Sequence, residues 1–584
     1  MSENNKIDVS RRRVLAIGGI AGAAVIAGAT PMVLAGVDKH VPTWDLQTDI
    51  VVVGSGAAAC SAAVTAVDLG SKVMMLEKAP ILGGTTRRSG GVAWIPNNFS
   101  LRAQGIDDNE QDCMRYMCRY AYPQRYRADS SNLGLEPLEY QRLLAFYRNA
   151  GPAVDRFNAL KATHFIRFDL PGGIGPSPDY SPRLSENKVP RGRSVWPDPT
   201  INGGRGSSIV DNMAAWLEQH GASLLTEHQV VGLIQDEGRV IGVEVEHQGR
   251  RLRVKARKGV IFGSGGYAHN RELTTRYQQG LLYGACAAAG STGDLVQMAS
   301  SVGARLGDMQ TAWRSQVVLE EALENPNLGT AVNVPPGDAM ILVNKYGRRV
   351  VNEKRNYNDR TKVHFIWDPS NVEYTNQFLF MVFDQRAIDV FGGNYPFPND
   401  VRESPYLISA GSFEELAKNV QARLDSLKQK IPAITLASDF IENLKGSVER
   451  FSESARKGID AEFHRGSDPA ETDWLAYFSR PRKGLEAEAR KMPNATLYPF
   501  TVQGPYYAII IAPGALDTNS GPQVDSSAQV LGADGQPIPG LYGAGNCIAS
   551  PSHNAYFGAG GTIGPALAFG YIAARAASAQ KGVA

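Results

Sequence analysis

A buried strand that runs into a glycine-rich turn is the strongest constraint on the fold of this chain. Residues 49–53 read DIVVV, and residues 54–59 (GSGAAA) follow, before a helical stretch of small residues that ends near Leu69. A second apolar run, KVMML at 72–76, ends at Glu77. Strand, glycine turn, helix and strand together predict one βαβ unit of roughly 30 residues.

The turn has the spacing of a dinucleotide-binding fingerprint. Gly54 permits a tight turn, and Gly56 lets the backbone approach a pyrophosphate that the following helix N-terminus stabilises. Ala59 is small enough for close packing of helix on strand, and Glu77 has about the spacing needed to bind an adenosine ribose. The pattern predicts these cofactor-binding residues: Gly54, Gly56, Ala57, Ala58, Glu77 and Lys78.

A long glycine loop at 83–91 (GGTTRRSGG) points to FAD rather than NAD, because an NAD-binding domain would normally continue into a helix there. The late turn at 543–546 (GAGN) and a helix from Gly561 suit the pyrimidine end of a flavin, where a helix N-terminus favours the anionic reduced ring. We therefore predict FAD and add these cofactor-binding residues: Gly83, Gly84, Thr85, Ser89, Gly90, Gly91, Val231, Gly265, Gly266, Gly545, Asn546, Gly561, Thr562 and Ile563.

The chain has 584 residues, which exceeds one compact core, so two or more domains are expected. Residues 306–490 lack glycine motifs and mix strands with polar helices, whereas the glycine-rich style returns afterwards. We predict an α/β fold: a two-piece FAD-binding Rossmann-like domain (45–305 and 491–580) with an inserted α+β substrate-capping domain (306–490). The net charge of +2 gives no support for a nucleic-acid partner.

The N-terminus carries an export signal. Residues 10–15 (SRRRVL) precede a weakly apolar stretch rich in Gly and Ala, and small residues suited to cleavage occur at 33–35. We expect residues 1–36 to be a twin-arginine signal peptide that engages the export machinery, and the protein to be periplasmic or secreted. The alternative is a single membrane helix, since roughly 20 apolar residues can span a bilayer, and an uncleaved signal would give membrane association.

The five cysteines are few, odd in number and without CxxC spacing. They predict mostly buried thiols, with neither a disulfide framework nor a metal site. No CxxCH haem-attachment sequence occurs, so any electron acceptor is expected to be a separate partner, which the sequence does not identify.

Four segments resemble the 3-ketosteroid Δ1-dehydrogenase branch of the fumarate reductase superfamily of flavoproteins (FAD-dependent oxidoreductase 2). They are residues 556–565 (YFGAGGTIGP), 178–182 (PDYSP) followed by 192–194 (GRS), 265–270 (GGYAHN), and 347–353 (GRRVVNE) with Tyr357. The resemblance runs from about Asp49 to Ala577. It implies a doubly wound FAD domain in two sequence pieces, interrupted by a smaller substrate-capping domain.

The resemblance also implies roles for four catalytic residues. Tyr556 and the Gly560 N–H would hold a ketone oxygen, Tyr357 would be the base, and Tyr180 would hydrogen-bond to Tyr357 and pass the proton outward. The implied reaction introduces a C=C bond next to the ketone of a small, apolar, steroid-like ring substrate, with hydride transfer to flavin N5. Covalent members of the family link FAD through a histidine near the glycine loop, and residues 54–91 contain none, so FAD is expected to be non-covalent.

Two other functions stay open at this point. The first is a periplasmic flavin-dependent reductase of an unsaturated acid, which would need an Arg and His clamp on carboxylates. Residues 513–521 contain no His and residues 552–564 no Arg, and His553 alone could not bind a dicarboxylate. The second is a non-catalytic binding or escort protein, against which the intact fingerprint argues. The sequence also departs from the family at Phe557, in place of a usual Pro, and at Arg314, which we expect to enter or rim the pocket.

Overall fold

The computed structural model describes residues 43–201 and 203–583, so the predicted signal peptide lies outside the described residues. The strands are β1 (Leu46–Val53), β2 (Val73–Leu76), β3 (Ala93–Trp94), β4 (Phe165–Arg167), β5 (Asp169–Leu170), β6 (Gly175–Pro176), β7 (Ser194–Pro197), β8 (Ser223–Leu225), β9 (Gln229–Asp236), β10 (Arg239–His247), β11 (Arg250–Phe262), β12 (Ala312–Val318), β13 (Met340–Val343), β14 (Trp367–Asp368), β15 (Glu373–Tyr374), β16 (Leu379–Asp384), β17 (Ile408–Ala410), β18 (Tyr506–Thr518), β19 (Gln529–Leu531) and β20 (Pro537–Gly543). The helices are α1 (Ala57–Asp68), α2 (Gly84–Arg88), α3 (Phe99–Ala103), α4 (Glu110–Ala121), α5 (Pro137–Leu160), α6 (Gly206–Gln219), α7 (Arg271–Tyr277), α8 (Asp294–Ser301), α9 (Leu319–Glu324), α10 (Tyr357–Thr361), α11 (Gln385–Phe391), α12 (Phe413–Leu427), α13 (Phe440–Lys457), α14 (Pro469–Phe478) and α15 (Ile563–Ser578).

The first sheet carries the predicted βαβ unit. Its main path runs β19-β20-β11-β1-β2-β8, with β10 and β9 added beside β11. Strands β20, β11, β1, β2 and β8 pair in parallel, as expected for buried apolar runs such as residues 50–53. Because parallel strands end at the same edge, the turns after β1, β2, β11 and β20 are brought together there.

Small residues let helices pack closely on this sheet. Helix α1 is almost entirely alanine and other small residues, and it lies against α15, where the Ser61 hydroxyl donates to the Leu567 carbonyl at 2.6 Å. A Cβ on Gly570 would lie 2.3 Å from the Ala58 carbonyl, so only glycine permits this approach. The two helices are more than 500 residues apart in sequence, and their contact joins the two ends of the folded chain.

The second sheet is antiparallel and lies between apolar side chains on both faces. Its path is β12-β18-β16-β13, with β17 beside β18. Strand β18 belongs to this sheet, although its residues fall within the second predicted FAD-domain piece, 491–580. The predicted domain boundaries themselves stay a prediction. The mixture of a parallel sheet covered by helices with a second, antiparallel sheet confirms the predicted α/β class.

The alternating pattern of residues 222–262 predicts a β-meander with separate strands at 251–256 (RLRVKA) and 259–262 (GVIF), and the structure contradicts this in two places. Strand β8 pairs in parallel with β2. Residues 250–262 form a single strand, β11, which pairs with β10 along its first half and with β20 at its end. The glycine loop at 83–91 contains the short helix α2. In the described part of the chain, no helix is long and apolar enough to cross a bilayer.

Candidate active site

A cavity with an empty volume of about 1010 Å³ lies where the parallel strands of the first sheet end; we call it the cofactor cavity. Helix α1 points its N-terminus at this cavity; Gly56 has no side chain to cap the helix, and the Ala57 N–H donates to Thr86 Oγ1 at 2.9 Å. Uncapped N–H groups at a helix start favour an anion such as a diphosphate. Glu77, at the end of β2, is buried in the wall of the same cavity, where Ser55 of the glycine turn and the Ala79 N–H donate to its carboxylate. The donor set fits a dinucleotide such as FAD.

Most predicted cofactor residues line this cavity. The ones that do are Gly54, Gly56, Ala57, Ala58, Glu77, Lys78, Gly84, Thr85, Ser89, Gly265, Gly545, Asn546, Thr562 and Ile563. Lys78 is held there by an ion pair with Asp294 at 2.7 Å. Gly90 and Gly91 line the neighbouring cavity described below.

Four predicted cofactor residues line neither cavity. Side chains alternate along β9, so Val230 faces the cavity and the predicted Val231 does not. Gly83 precedes α2, and its N–H donates to Ser55 Oγ at 2.7 Å. A Cβ on Gly266 would lie 2.4 Å from Thr518 Oγ1, and one on Gly561 would lie 2.9 Å from Tyr556 Cδ1. These three glycines permit close packing around the site.

The polar residues of the cofactor cavity that were not predicted from the sequence include His228 and Asp517. His228 lies two residues before Val230, with its ring stacked on His247. Asp517 lines both cavities, and its carboxylate accepts hydrogen bonds from the Gly266 N–H at 3.1 Å and from Asn546 at 3.2 Å. Burial raises the pKa of Asp517 against these hydrogen bonds. Neither residue lies in a glycine motif, so motif spacing offered no signal for them.

A second cavity, the tyrosine cavity, adjoins the first and has an empty volume of about 1200 Å³. The two cavities share six lining residues: Thr85, Ser89, Asp517, Asn546, Thr562 and Ile563. All four predicted catalytic residues line the tyrosine cavity: Tyr180, Tyr357, Tyr556 and Gly560. The remaining wall is largely apolar and aromatic, from residues such as Phe168, Trp313, Trp474, Phe478 and Leu516.

The three tyrosines form one cluster. The hydroxyl of Tyr180 lies 3.3 Å from that of Tyr357. The ring of Tyr556 stacks on Tyr180 at 5.5 Å between centroids, and it meets the ring of Tyr357 edge-on at 5.2 Å. Trp313 packs edge-on against Tyr556 from the other side. Such contacts fix the rings, so each phenol oxygen has a defined position in the cavity.

A buried ion-pair network holds Tyr180 in place. Its neighbour Asp179 accepts hydrogen bonds from Trp94 Nε1 and Arg193, and Arg193 also pairs with Asp108 at 2.7 Å. These ionic groups are almost fully buried, and loss of one partner of such a network typically costs about 3–5 kcal/mol. The Tyr180 N–H donates to the Phe557 carbonyl at 2.9 Å, which ties this loop to the segment of Tyr556.

Tyr357 begins the short helix α10. Asn356 caps the helix by accepting from the Asp359 N–H at 3.0 Å. The preceding motif at 347–353 is structural, since Arg349 pairs with Glu353 at 2.9 Å and both side chains are fully buried. The motif therefore fixes the chain just before Tyr357 and does not line the cavity.

Gly560 presents its N–H to the tyrosine cavity. Its φ of 87° is in the left-handed region, and an added Cβ would lie 2.4 Å from the Val92 carbonyl. The Gly560 carbonyl accepts from the Trp94 N–H at 3.0 Å. Its own N–H donates to no other group in the described part of the chain. It is therefore free to donate to a ligand oxygen.

Burial keeps the phenols neutral. It raises the pKa of Tyr180 and of Tyr556, and it raises that of Tyr357 well above its ordinary value, with a further increase from the other two tyrosines. A neutral phenol is a good hydrogen-bond donor to a ketone oxygen. Tyr357 can accept a proton only if it gives up its own at the same time.

The charged residues of the region differ from expectation. Arg314 does not line the tyrosine cavity, because alternation along β12 turns it away from Trp313; its guanidinium lies over the Phe365 ring at 4.5 Å. Arg88 lines the cavity instead. It donates to the carbonyls of Ala287 and Leu328, and no described carboxylate lies within ion-pair distance of it.

Comparison with known proteins agrees with this geometry. The family model "FAD binding domain" matches residues 49–563. The chain is 30% identical to 4-oxocyclohexanecarboxylate 2-dehydrogenase of Sinomonas cyclohexanicum, over 91% of this chain and 93% of that protein. It is also 30% identical to 3-oxosteroid 1-dehydrogenase of Mycolicibacterium smegmatis, over 92% and 99%.

A solved structure is similar along its whole length. The 3-ketosteroid Δ1-dehydrogenase of Sterolibacterium denitrificans, in complex with 1,4-androstadiene-3,17-dione, superposes with a TM-score of 0.74 at 25% identity. The match covers 91% of this chain and 99% of that one. These findings confirm the predicted FAD cofactor and the predicted resemblance.

Proposed function

The chain belongs to the FAD binding domain family, and on that basis we propose that this FAD-dependent oxidoreductase desaturates a ring ketone between its α and β carbons. One observation carries the proposal. Three tyrosines and the free Gly560 N–H converge on an apolar cavity that shares a wall with the cofactor cavity. A polarising pair, a proton acceptor and a redox cofactor are the three requirements of this reaction.

One pair of residues polarises the ketone carbonyl, and a second pair removes the α-proton. Tyr556 Oη and the Gly560 N–H donate to the ketone oxygen, which makes the α-proton acidic. Neutral donors suit an apolar ring, since a buried charge would be costly. Tyr357 takes the α-proton while its own passes to Tyr180 across the 3.3 Å contact. Bound FAD supplies the acceptor for the hydride of the β-carbon.

The substrate class that we propose is a steroid-like ring ketone. Phe168, Trp313, Trp474, Phe478 and Leu516 offer flat apolar surfaces to fused rings. The names of the similar proteins support the same class, since they act on 3-oxosteroids or on an oxocyclohexane.

Arg88 favours a second candidate, a ring ketone that bears one carboxylate. Its guanidinium has no carboxylate partner among the described residues, so it keeps its full charge at the cavity wall. A guanidinium is well matched to a carboxylate. The similar protein from Sinomonas cyclohexanicum is named for a substrate of this kind.

Reduction of an unsaturated dicarboxylate has weaker support. Two carboxylates need two cationic partners, and Arg88 is the one Arg, Lys or His that lines the tyrosine cavity in the described part of the chain. One guanidinium satisfies one carboxylate.

We also propose that the protein is exported, and that a separate partner reoxidises the flavin. The segment at 10–15 (SRRRVL) supports export by the twin-arginine route, which carries folded, cofactor-loaded proteins. Cell fractionation tests this: the Arg11→Lys, Arg12→Lys double variant should accumulate in the cytoplasm. An unchanged distribution between cell fractions would contradict the proposal.

Turnover with an artificial electron-accepting dye tests the reaction. The purified FAD-loaded protein is given androst-4-ene-3,17-dione, 4-oxocyclohexanecarboxylate and, as the alternative, fumarate with a chemical reductant. We expect dye reduction with at least one ring ketone and a product that has lost two hydrogens. Activity with fumarate alone would contradict the proposal.

A further inference from the structure

A third cavity, the acid cavity, lies behind the catalytic tyrosines and has an empty volume of about 360 Å³. Four residues line both it and the tyrosine cavity, and thus form the wall between them: Tyr180, Tyr357, Trp474 and Phe478. Its far side is polar and carries Lys354, Arg355, Asp468 and Glu471. The tyrosine pair therefore separates the substrate side from a cluster of charged groups.

Two buried polar atoms of this cavity have no hydrogen-bond partner in the described part of the chain. They are Asp468 Oδ2 and Trp474 Nε1. Arg355 Nη1 lies 3.5 Å from Asp468 Oδ2, an ion-pair contact without a hydrogen bond. Buried polar atoms are nearly always hydrogen-bonded, and a cavity with a donor and an acceptor suits water. Water here would accept from Trp474 and donate to Asp468.

Asp468 is the carboxylate with a free oxygen. Its Oδ1 caps α14 by accepting from the Ala470 N–H at 3.0 Å, whereas its Oδ2 accepts no hydrogen bond in the described part of the chain and has only the ion-pair contact with Arg355. Both oxygens of Glu471 are engaged, one by Asn352 at 2.9 Å and one by the Gly466 N–H at 2.7 Å. Lys354 donates to backbone carbonyls.

We propose that the acid cavity is the exit for the substrate's α-proton, with Asp468 as its acceptor; this rests on the proposed function. Tyr357 takes the proton from the α-carbon as its own hydroxyl proton moves to Tyr180. Tyr180 gives its hydroxyl proton to water in the cavity, and that water protonates Asp468 Oδ2. Both phenols end neutral, one proton has reached the carboxylate, and the hydride remains assigned to FAD. Asp468 then loses the proton to solvent beside the partly exposed Arg355.

The relay avoids a lasting negative charge on a buried tyrosine. No described cation contacts a catalytic tyrosine hydroxyl, so a lasting phenolate would be unsupported. In the relay the proton passes on to the carboxylate of Asp468, beside Arg355, so neither tyrosine stays a phenolate. The groups that face Asp468 are Arg355 and Lys354 from the segment before α10, Glu471 from α14, and the two tyrosines.

The test is the Asp468→Asn variant, in which Oδ1 can still cap α14. The FAD-loaded variant is mixed anaerobically with the ring ketone, and the rate of flavin bleaching is followed against pH. We expect a rate at least about tenfold lower at pH 7, since a proton acceptor contributes about 10²–10⁴. The wild-type rate should fall at low pH, where a carboxylate can no longer accept a proton, and the variant should lack this limb. Added formate, a diffusible carboxylate, should restore part of the rate.

Asp473→Asn is the matched control. Asp473 lies on the same helix and pairs with Arg191, and it does not line the acid cavity. Trp474→Phe is the second variant, which keeps the ring but removes the N–H donor, and a rate about fivefold lower is expected.

A wild-type rate and pH profile in Asp468→Asn would overturn the relay. If that variant loses FAD or its fold, a wild-type rate in Trp474→Phe decides against the relay instead. Absence of bleaching in the wild-type protein with every ring ketone would count against the proposed function, so the two failures are distinguishable.

Discussion

The hydroxyl oxygens of Tyr180 and Tyr357 lie 3.3 Å apart, although the two residues are 177 positions apart in sequence. Tyr180 lies in a loop fixed by the buried Asp179–Arg193 pair, and Tyr357 begins α10. Because both phenols are neutral, a proton can pass from one hydroxyl to the other without leaving a lasting phenolate. In the proposed reaction, this contact lets the buried Tyr357 act as a base.

Removal of the Tyr556 hydroxyl should abolish most of the ketone activation. In Tyr556→Phe we expect flavin bleaching by the ring ketone to slow about 10²–10³-fold with FAD retained, because one donor to the developing oxyanion is lost. Stopped-flow absorbance measures the rate. Tyr477→Phe is the control, since Tyr477 lines the same cavity away from the tyrosine cluster. Equal rates in the two variants would contradict the role of Tyr556.

Gly560→Ala should destabilise the fold and block ketone binding. The new Cβ would lie 2.4 Å from the Val92 carbonyl, so the loss should be at least about 2 kcal/mol in the free energy of unfolding. Gly535→Ala is matched in φ, at 78°, but nothing lies within 4 Å of its Cβ, and it should lose only about 1 kcal/mol. Denaturant unfolding measures both. Similar losses would show that the close approach to Val92 is unimportant.

Asp359 should make stability depend on pH near the tyrosine site. Burial alone would raise its pKa, but Lys362 and Arg355 hold the pKa at about 2. The unfolded value is about 3.9, so its contribution of about 2–3 kcal/mol is present above pH 4 and is lost as pH falls to 2. Asp359→Asn should therefore be less stable than wild type at pH 7, and the difference should shrink below pH 4. If the difference in the free energy of unfolding between wild type and Asp359→Asn stays constant across this pH range, Asp359 is not the group responsible.

Arg88→Leu should discriminate between the two substrate classes. If the substrate carries a carboxylate, KM should rise about 10–100-fold, the worth of a charged hydrogen bond, while a neutral 3-ketosteroid should be unaffected. Arg87→Leu is the control, since Arg87 pairs with Asp211 and does not line the cavity. A KM for the carboxylate-bearing ketone that is the same in Arg88→Leu as in wild type would contradict this role of Arg88.

Local patterns located the turns around the cofactor cavity, because glycines such as Gly54 and Gly91 have a positive φ and leave no room for a Cβ. The βαβ unit at β1-α1-β2 and the start of α15 lie close to the predicted positions. The tyrosines could be identified only through a resemblance, since nothing local distinguishes Tyr180 from a packing residue. Three features could not be predicted from local patterns because they depend on contacts between distant parts of the chain. They are the parallel pairing of β8, the placement of Asp517, and the acid cavity behind Tyr180.

The most direct test of ring-ketone desaturation is a stoichiometric titration without oxygen. Oxidised, FAD-loaded protein is mixed with one equivalent of ring ketone, the flavin absorbance is followed, and the product is identified by mass spectrometry. We expect that one equivalent bleaches one flavin and yields the ketone with two hydrogens fewer, and that Tyr357→Phe with FAD bound stays yellow. A wild-type flavin that stays oxidised with both the 3-ketosteroid and the oxocyclohexanecarboxylate would contradict it.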